Sequence, residues 1–298
     1  MTRREVIAAF GTAGALAAKA RERFRLAVCN ETFEGSSFAD ACRLAVATGY
    51  SGLEIMPSTL APDPASLPGD KRAELRRTIQ DAGVTFSGLH AVVSAPAGLH
   101  LTTPDDAVRK RGWDYFRRMI DFCADLGKDG FIVLGSSKQR AAAKAESVED
   151  AVKRLRDGLA ESAPHARDRG VLLLAEPLAP HLCNVLTSLG QAVELVRSIG
   201  HPSVQTIFDT HNAVNESEPH DALIRKHARC IRHVHVNEMD GRHPGTGTYD
   251  FGLVLRALRE IRYSGWVSLE VFQFKPSGER IARESAALLR RLESSTGS

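Results

Sequence analysis

Disulfide chemistry has little to work with in this sequence. Its five cysteines, Cys29, Cys42, Cys123, Cys183 and Cys230, are odd in number and widely spaced, and no two form a Cys-x-x-Cys pair. That pattern excludes a disulfide framework and a thiolate metal site, and it assigns the thiols to packing. Charge of one sign is also scarce. The net charge is +3, and part of the excess is gathered at Arg3, Arg4, Lys19, Arg21, Arg23 and Arg25, which leaves no footprint for nucleic acid. No Gly-x-Gly-x-x-Gly or Gly-x-x-x-x-Gly-Lys segment is present to cradle a phosphate. Past the first twenty residues no apolar run approaches the roughly 20 residues that cross a bilayer. Low-complexity linkers and signs of a second domain are missing as well. What remains is a hydrophobic fraction of 43% and a charged fraction of 25%, ordinary for a globular protein, in 298 residues. That length suits one large barrel or two small domains.

The first twenty residues, MTRREVIAAFGTAGALAAKA, differ from the rest. Thr2-Arg3-Arg4 precedes a weakly apolar run, Val6 to Ala18, and Ala18 and Ala20 suit a cleavage site. This resembles a bacterial twin-arginine export signal, which implies a periplasmic protein whose mature chain starts near Arg21. Glu5-Val6 stands where the usual Phe is absent, and the alternative is an amphipathic terminal helix on a cytoplasmic protein.

From Phe24 onward, short β-rich runs alternate with longer runs of helical period. The strands expected are Phe24–Cys29, Gly52–Met56, Val84–His90, Phe131–Leu134, Val171–Glu176, Val204–Asp209, Ile231–Val236 and Trp266–Val271. The helices between and after them are Phe38–Thr48, Asp70–Ala82, Asp105–Leu126, Ser147–Arg169 (with Pro164 expected to kink its end), Leu189–Ile199, Pro219–Arg229, Phe251–Tyr263 and Ser277–Leu292. Eight strand-helix units in order imply parallel pairing and a closed α/β barrel, (β/α)8, over residues 24–298.

In such a barrel the chemistry sits at the carboxyl ends of the strands. Glu54, His90, Glu176, Asp209, His235 and Glu270 stand at or near six of those ends, each after an apolar run. Buried carboxylates without a counter-charge are expensive, so such a cluster calls for a cation. Glu176, Asp209, His235 and Glu270 come from four consecutive strands. Three oxygen donors and one imidazole suit one divalent ion, Mn²⁺ first, with Mg²⁺, Co²⁺ and Zn²⁺ as alternatives. His233 is two residues before His235 on the same strand face and reads as its packing or hydrogen-bonding neighbour.

The motifs LAEP at Glu176, FDTHN at Asp209, HVHVNE at His235 followed by Arg242 and PGTG, and SLEVF at Glu270 resemble those of the xylose-isomerase-like barrels. Within these, they are most similar to the sugar phosphate isomerase/epimerase branch that contains D-tagatose 3-epimerase and hydroxypyruvate isomerase. The resemblance covers Phe24 to Leu292 and implies a metal-dependent isomerase or epimerase of a small sugar, acting through a metal-bound enediolate. It makes Glu176, Asp209, His235 and Glu270 the metal ligands, Glu176 and Glu270 also the proton-moving pair, and His211 and Arg242 substrate-binding residues, each one residue out of the usual spacing. Two departures matter. Xylose isomerase has a lysine two positions beyond its strand-five glutamate, where this chain has Leu178, which favours proton over hydride transfer. Epimerases of the branch place a second Glu six positions beyond that glutamate, where this chain has Leu182.

Alternatives remain at this point. The same pair of carboxylates can expel a β-leaving group, so a lyase or dehydratase of a keto-sugar or keto-glycoside is the runner-up. An endonuclease IV-like DNA-repair hydrolase, with His90 and His211 as remnants of its extra histidines, and a non-catalytic sugar-binding barrel are more remote. Glu54 and His90 are candidates for the substrate pocket or for structural hydrogen bonding. Lys138 and Arg140 either bind a phosphate or are solvated, Asp240 belongs to a turn, and Trp113, Tyr115 and Phe116 read as packing. A homo-oligomer is left open.

Overall fold

The computed structural model describes residues 23–295, so the expected leader at residues 1–20 lies outside the described residues. Eight strands are joined by eight main helices: β1 (Arg25–Cys29), α1 (Phe38–Ala47), β2 (Gly52–Ile55), α2 (Gly69–Asp81), β3 (Thr85–Leu89), α3 (Asp106–Leu126), β4 (Phe131–Leu134), α4 (Val148–Asp168), β5 (Leu172–Ala175), α5 (Leu189–Ile199), β6 (Val204–Asp209), α6 (His220–His227), β7 (Ile231–Val236), α7 (Phe251–Glu260), β8 (Trp266–Leu269) and α8 (Gly278–Ser295). Each strand pairs in parallel with the next, and β8 closes on β1 through Arg25 opposite Trp266 and Val28 opposite Leu269. The (β/α)8 expectation is met. Strands β2, β3 and β5 stop one residue earlier than expected and β8 two, so His90, Glu176 and Glu270 stand just beyond the ladder. Helix α4 continues through Pro164.

Strand parity divides the apolar residues into two cores. Outward-facing Leu26, Val28, Leu53, Ile55, Leu173, Val234 and Val267 join the helices in one continuous shell. Inward-facing Ala27, Phe131, Val133, Leu174, Ile207 and Trp266 form a separate plug that fills the lumen, as a barrel interior must be packed rather than open. Two glycines make room for the plug's rings. A Cβ on Gly88 would lie 2.4 Å from Phe131, and one on Gly52 would lie 2.6 Å from Trp266. The inward series then changes chemistry above the plug: Ile207 gives way to Asp209, Leu174 to Glu176, and Ser268 to Glu270. The same alternation that packs the barrel therefore delivers polar groups to its mouth. Helix starts beside the strand ends are fixed by side chains that accept backbone N–H bonds, Ser37, Asp105, Ser147, Ser188 and Asp250 among them.

Candidate active site

Ligand atoms of Glu176, Asp209, His235 and Glu270 all lie within 4.8 Å of one another. His235 is at their centre. Its Nδ1 is 3.1 Å from Glu270 Oε2, 3.6 Å from Glu176 Oε1 and 3.8 Å from Asp209 Oδ2, and it is buried without a hydrogen-bond partner. The structure thus brings together the four residues named as metal ligands from the sequence.

Each carboxylate is held by its own surroundings. Asp209 Oδ1 accepts from the backbone N–H of His211 and Asn212, and Oδ2 accepts from Asn212 Nδ2 at 2.8 Å. Asn212 Nδ2 also reaches toward Glu176 Oε1, and its own Oδ1 accepts from the Ala179 N–H. Glu176 has space because residue 135 is glycine: a Cβ there would lie 1.7 Å from Glu176 Oε2. Beneath it, fully buried Arg140 donates to the carbonyl oxygens of Leu134 and Glu176. This corrects the expectation for Arg140, which is neither solvated nor available to a phosphate; its guanidinium ties the ends of β4 and β5.

The electrostatics follow from three carboxylates crowded around one ring. Burial, the Glu270 and Asp209 charges and a partial offset from His235 leave the Glu176 carboxyl pushed up to about 7. Burial works against the charged form of His235, but the Glu270 and Glu54 carboxylates prevail and hold it well above its ordinary value. Burial likewise opposes ionisation of Asp209, and the neighbouring His235 ring, with His211 and the Asn212 N–H, keeps it low. Such a cluster needs a positive counterpart. An orphaned, buried imidazole nitrogen facing three carboxylates fits a divalent cation with an O₃N donor set. Cys29 also lies near Glu54 and His235. Burial pushes its thiol well up, with Glu54 adding to the effect, so it stays protonated and is a poor ligand.

The other residues named from the sequence occupy different levels. Glu54, a candidate for the substrate pocket or for structural hydrogen bonding, is fully buried below the cluster, with its oxygens accepting from His233 Nε2 at 2.9 Å and His235 Nε2 at 3.0 Å. His90 donates from Nε2 to Glu31 Oε1 at 2.8 Å, and the same atom is 4.0 Å from Glu270 Oε1. His211 donates from Nδ1 to the Met239 carbonyl, and its ring lies 4.9 Å from the exposed ring of Phe272. Arg242 is half-exposed and forms a 2.8 Å pair with Asp240, which also accepts from the Arg242 N–H as a turn residue. The loop that carries Arg242 is pinned by buried Glu238, which accepts from the N–H groups of Gly245 and Tyr249. Leu182 is 38% exposed. Trp113, Tyr115 and Phe116 are packed in the core, and the five cysteines are free and buried. Asn212, Glu31 and Gly135 were not singled out from the sequence. Asn212 lies in the quoted FDTHN motif, which was the available signal.

Among the described residues no helix is long and apolar enough to cross a membrane. Comparison with known proteins adds the following. A ketose 3-epimerase of Arthrobacter globiformis is 28% identical over 205 residues, 65% of this chain and 68% of that protein. A D-psicose 3-epimerase of Agrobacterium fabrum is 28% identical over 209 residues, 67% of this chain and 68% of its own. The solved structure of a 3-keto-D-glucoside 4-epimerase from E. coli superposes with a TM-score of 0.79 at 20% identity, covering 90% of this chain and all of that one, a likeness of fold. The family model for the xylose isomerase-like TIM barrel matches residues 42–292, and the chain belongs to that family.

Proposed function

We propose that this chain is a divalent-metal-dependent epimerase that moves a proton on carbon next to the carbonyl of a keto-sugar, with Glu176 and Glu270 as the proton-moving pair and Glu176, Asp209, His235 and Glu270 as the metal ligands. The observation that carries this reading is the convergence of two buried carboxylates, Glu176 and Asp209, and the partly buried one of Glu270 on the partnerless Nδ1 of His235. The epimerase names of the relatives support it. A bound divalent ion, Mn²⁺ in first place, would supply Lewis-acid stabilisation of the negative charge that develops on the substrate's oxygens. Glu176 and Glu270 follow β5 and β8 and so approach from different sides of the mouth. One carboxylate removes the proton from one face of the carbon, and the other returns a proton to the opposite face, which inverts the centre. His211 and Arg242, at the rim, contact substrate oxygens, Arg242 after exchanging its Asp240 partner. His90 lies next to Glu270 and lines the same side.

Incubation of the Mn²⁺-loaded protein with a panel of ketoses and keto-glycosides in deuterated water tests this. Deuterium is expected at the carbon next to the carbonyl, together with the epimer, and Glu176→Gln should abolish both. No exchange across the panel refutes the reading.

Leu182 favours a second reading for the substrate, a keto-glycoside rather than a free ketohexose. It presents an exposed alkyl group, and a separate cavity of about 270 Å³ is lined by Phe33, Phe38, Leu60, Phe274 and Glu31, the last of which is the hydrogen-bond partner of His90. On such a substrate the same carboxylates could expel the glycosidic oxygen, and release of the free alcohol without an epimer would identify a lyase. We also propose that residues 1–20 direct export. Periplasmic protein in a bacterial host, lost on replacing Arg3 and Arg4 by lysine, is the expected result, and equal cytoplasmic retention of both forms opposes it.

A further inference from the structure

Below the four converging side chains is a buried group that two-carboxylate chemistry does not use. Glu54 stands in β2 at a register shift against β3, the kind of local irregularity that re-aims a side chain. Its Oε2 is 2.9 Å from His233 Nε2 and its Oε1 is 3.0 Å from His235 Nε2, and all three side chains are completely buried. An ionised carboxylate only accepts hydrogen bonds, so both rings must carry a proton on Nε2. For His235 this leaves Nδ1 as the nitrogen available to a ligand, and Nδ1 is the atom that faces Glu176, Asp209 and Glu270. The carboxylate is itself fixed. His233, on its other oxygen, packs 4.1 Å from the Phe131 ring in the barrel plug, and His90 Nδ1 lies 3.4 Å from Oε1.

We propose that Glu54 is a positioning residue for His235: it orients the ring and keeps the proton on Nε2, so that the Nδ1 lone pair points into the carboxylate cluster, and His233 completes the clamp by occupying the second oxygen. The inference rests on the reading of Glu176, Asp209, His235 and Glu270 as a metal site. Histidine ligands commonly donate their remote N–H to an outer carboxylate in this way, and such partners are worth 10–100-fold in metal affinity. Here one carboxylate serves the ligand and a neighbouring histidine together. The binding geometry is thereby linked to the packed plug rather than to a mobile loop.

Glu54→Gln tests the clamp. The amide is isosteric but offers one accepting and one donating face, so it cannot accept from both rings. Either His235 takes the proton on Nδ1, or His233 takes one on a buried nitrogen against Phe131. Calorimetric titration with Mn²⁺ alone should show affinity about 10–100-fold weaker than in the unmodified protein. Long-range ¹H–¹⁵N NMR of the Zn²⁺-saturated unmodified protein should find the His235 proton on Nε2 and shifted downfield by its hydrogen bond to the Glu54 carboxylate, a shift that a merely space-filling residue would not produce and that needs no variant to fold. A proton on Nδ1 in that spectrum overturns the proposal. So does unchanged Mn²⁺ affinity in folded Glu54→Gln, which would leave the metal site itself standing. An unmodified protein that binds neither ion overturns both.

Discussion

Replacing Gly135 by alanine asks whether the Glu176 carboxylate has to be where it is found. A Cβ at residue 135 would lie 1.7 Å from Glu176 Oε2 and 2.9 Å from its Cδ, but 3.8 Å from its Cβ. Carbon-oxygen contacts settle at roughly 3.3 Å or beyond, so the oxygen must retreat by roughly 1.6 Å. Only the far end of the side chain is in the way, and it can swing aside by rotating about its own bonds. Gly135 is not among the residues with positive φ, so alanine suits its backbone. Alanine also removes unfolded-state freedom worth about 0.4–1 kcal/mol, which offsets part of the strain. The fold should therefore survive while the site does not. A misplacement of about 1 Å in a reacting group can cost about 10²-fold, so turnover should fall at least that far. Mn²⁺ binding should weaken with it, because the displaced group is also a proposed ligand. Three measurements decide the matter: thermal melting of the metal-free variant, Mn²⁺ calorimetry, and deuterium exchange into substrate. A folded Gly135→Ala protein with unaltered Mn²⁺ affinity and exchange rate would refute the placement of Glu176 in the site.

Chelation should lower thermal stability, since the four proposed ligands are brought together only in the folded chain; at a metal concentration 100 times Kd the loss is about 2.7 kcal/mol, or roughly 5–10 °C. Coincident melting curves with and without Mn²⁺ would exclude a site of that affinity. Asn212→Ala strips Asp209 Oδ2 of its side-chain donor and leaves the buried Ala179 N–H without an acceptor. The expected cost is about 1–3 kcal/mol in urea unfolding, together with weaker Mn²⁺ binding, and unchanged values for both would show that Asn212 does not hold the site. Leu182→Glu restores a carboxylate at an exposed position, so stability should move by no more than about 0.5 kcal/mol. Turnover of free ketohexoses should rise relative to keto-glycosides, and a ratio that stays level or moves the other way sinks the specificity assigned to Leu182.

Strand parity made the barrel and the four ligand candidates legible in the sequence, because a period of two fixes which residues face inward and an apolar run marks where the inward series ends. Parity gives the face but not the depth. Glu54 and Glu176 both point into the lumen. Glu54 pairs in register with Cys29, whereas Glu176 stands past the end of β5, and only this difference in level separates a group under the histidines from one beside them. Nothing within a few residues of Glu54 records that level, since its partners are 179 and 181 positions away. Arg140 failed to show for a similar reason. In the sequence after β4 it reads as either a phosphate binder or a solvated side chain, yet its guanidinium reaches the carbonyl of Glu176, 36 positions on. Gly135, just past β4, carries no side chain for a motif to mark, and its significance is a volume that a neighbouring strand's carboxylate fills.

These unread residues share one property: each acts on a ligand candidate rather than as one. Local sequence pattern reports what a residue can do to solvent or to a core. A residue whose work is to hold another one still is specified by the second residue's position, and that position exists only once the barrel has closed. The consequence for the site is that its candidate ligands are far less free to be rearranged than their position at the mouth of the barrel implies. Asp209 is tied through Asn212 to the loop after β5, Glu176 through Arg140 to β4, and His235 through Glu54 to the plug. Variation in activity among chains with the same four ligands is therefore expected to come from the rim, at Leu182, Arg242 and Phe272, where the structure leaves side chains exposed and weakly held.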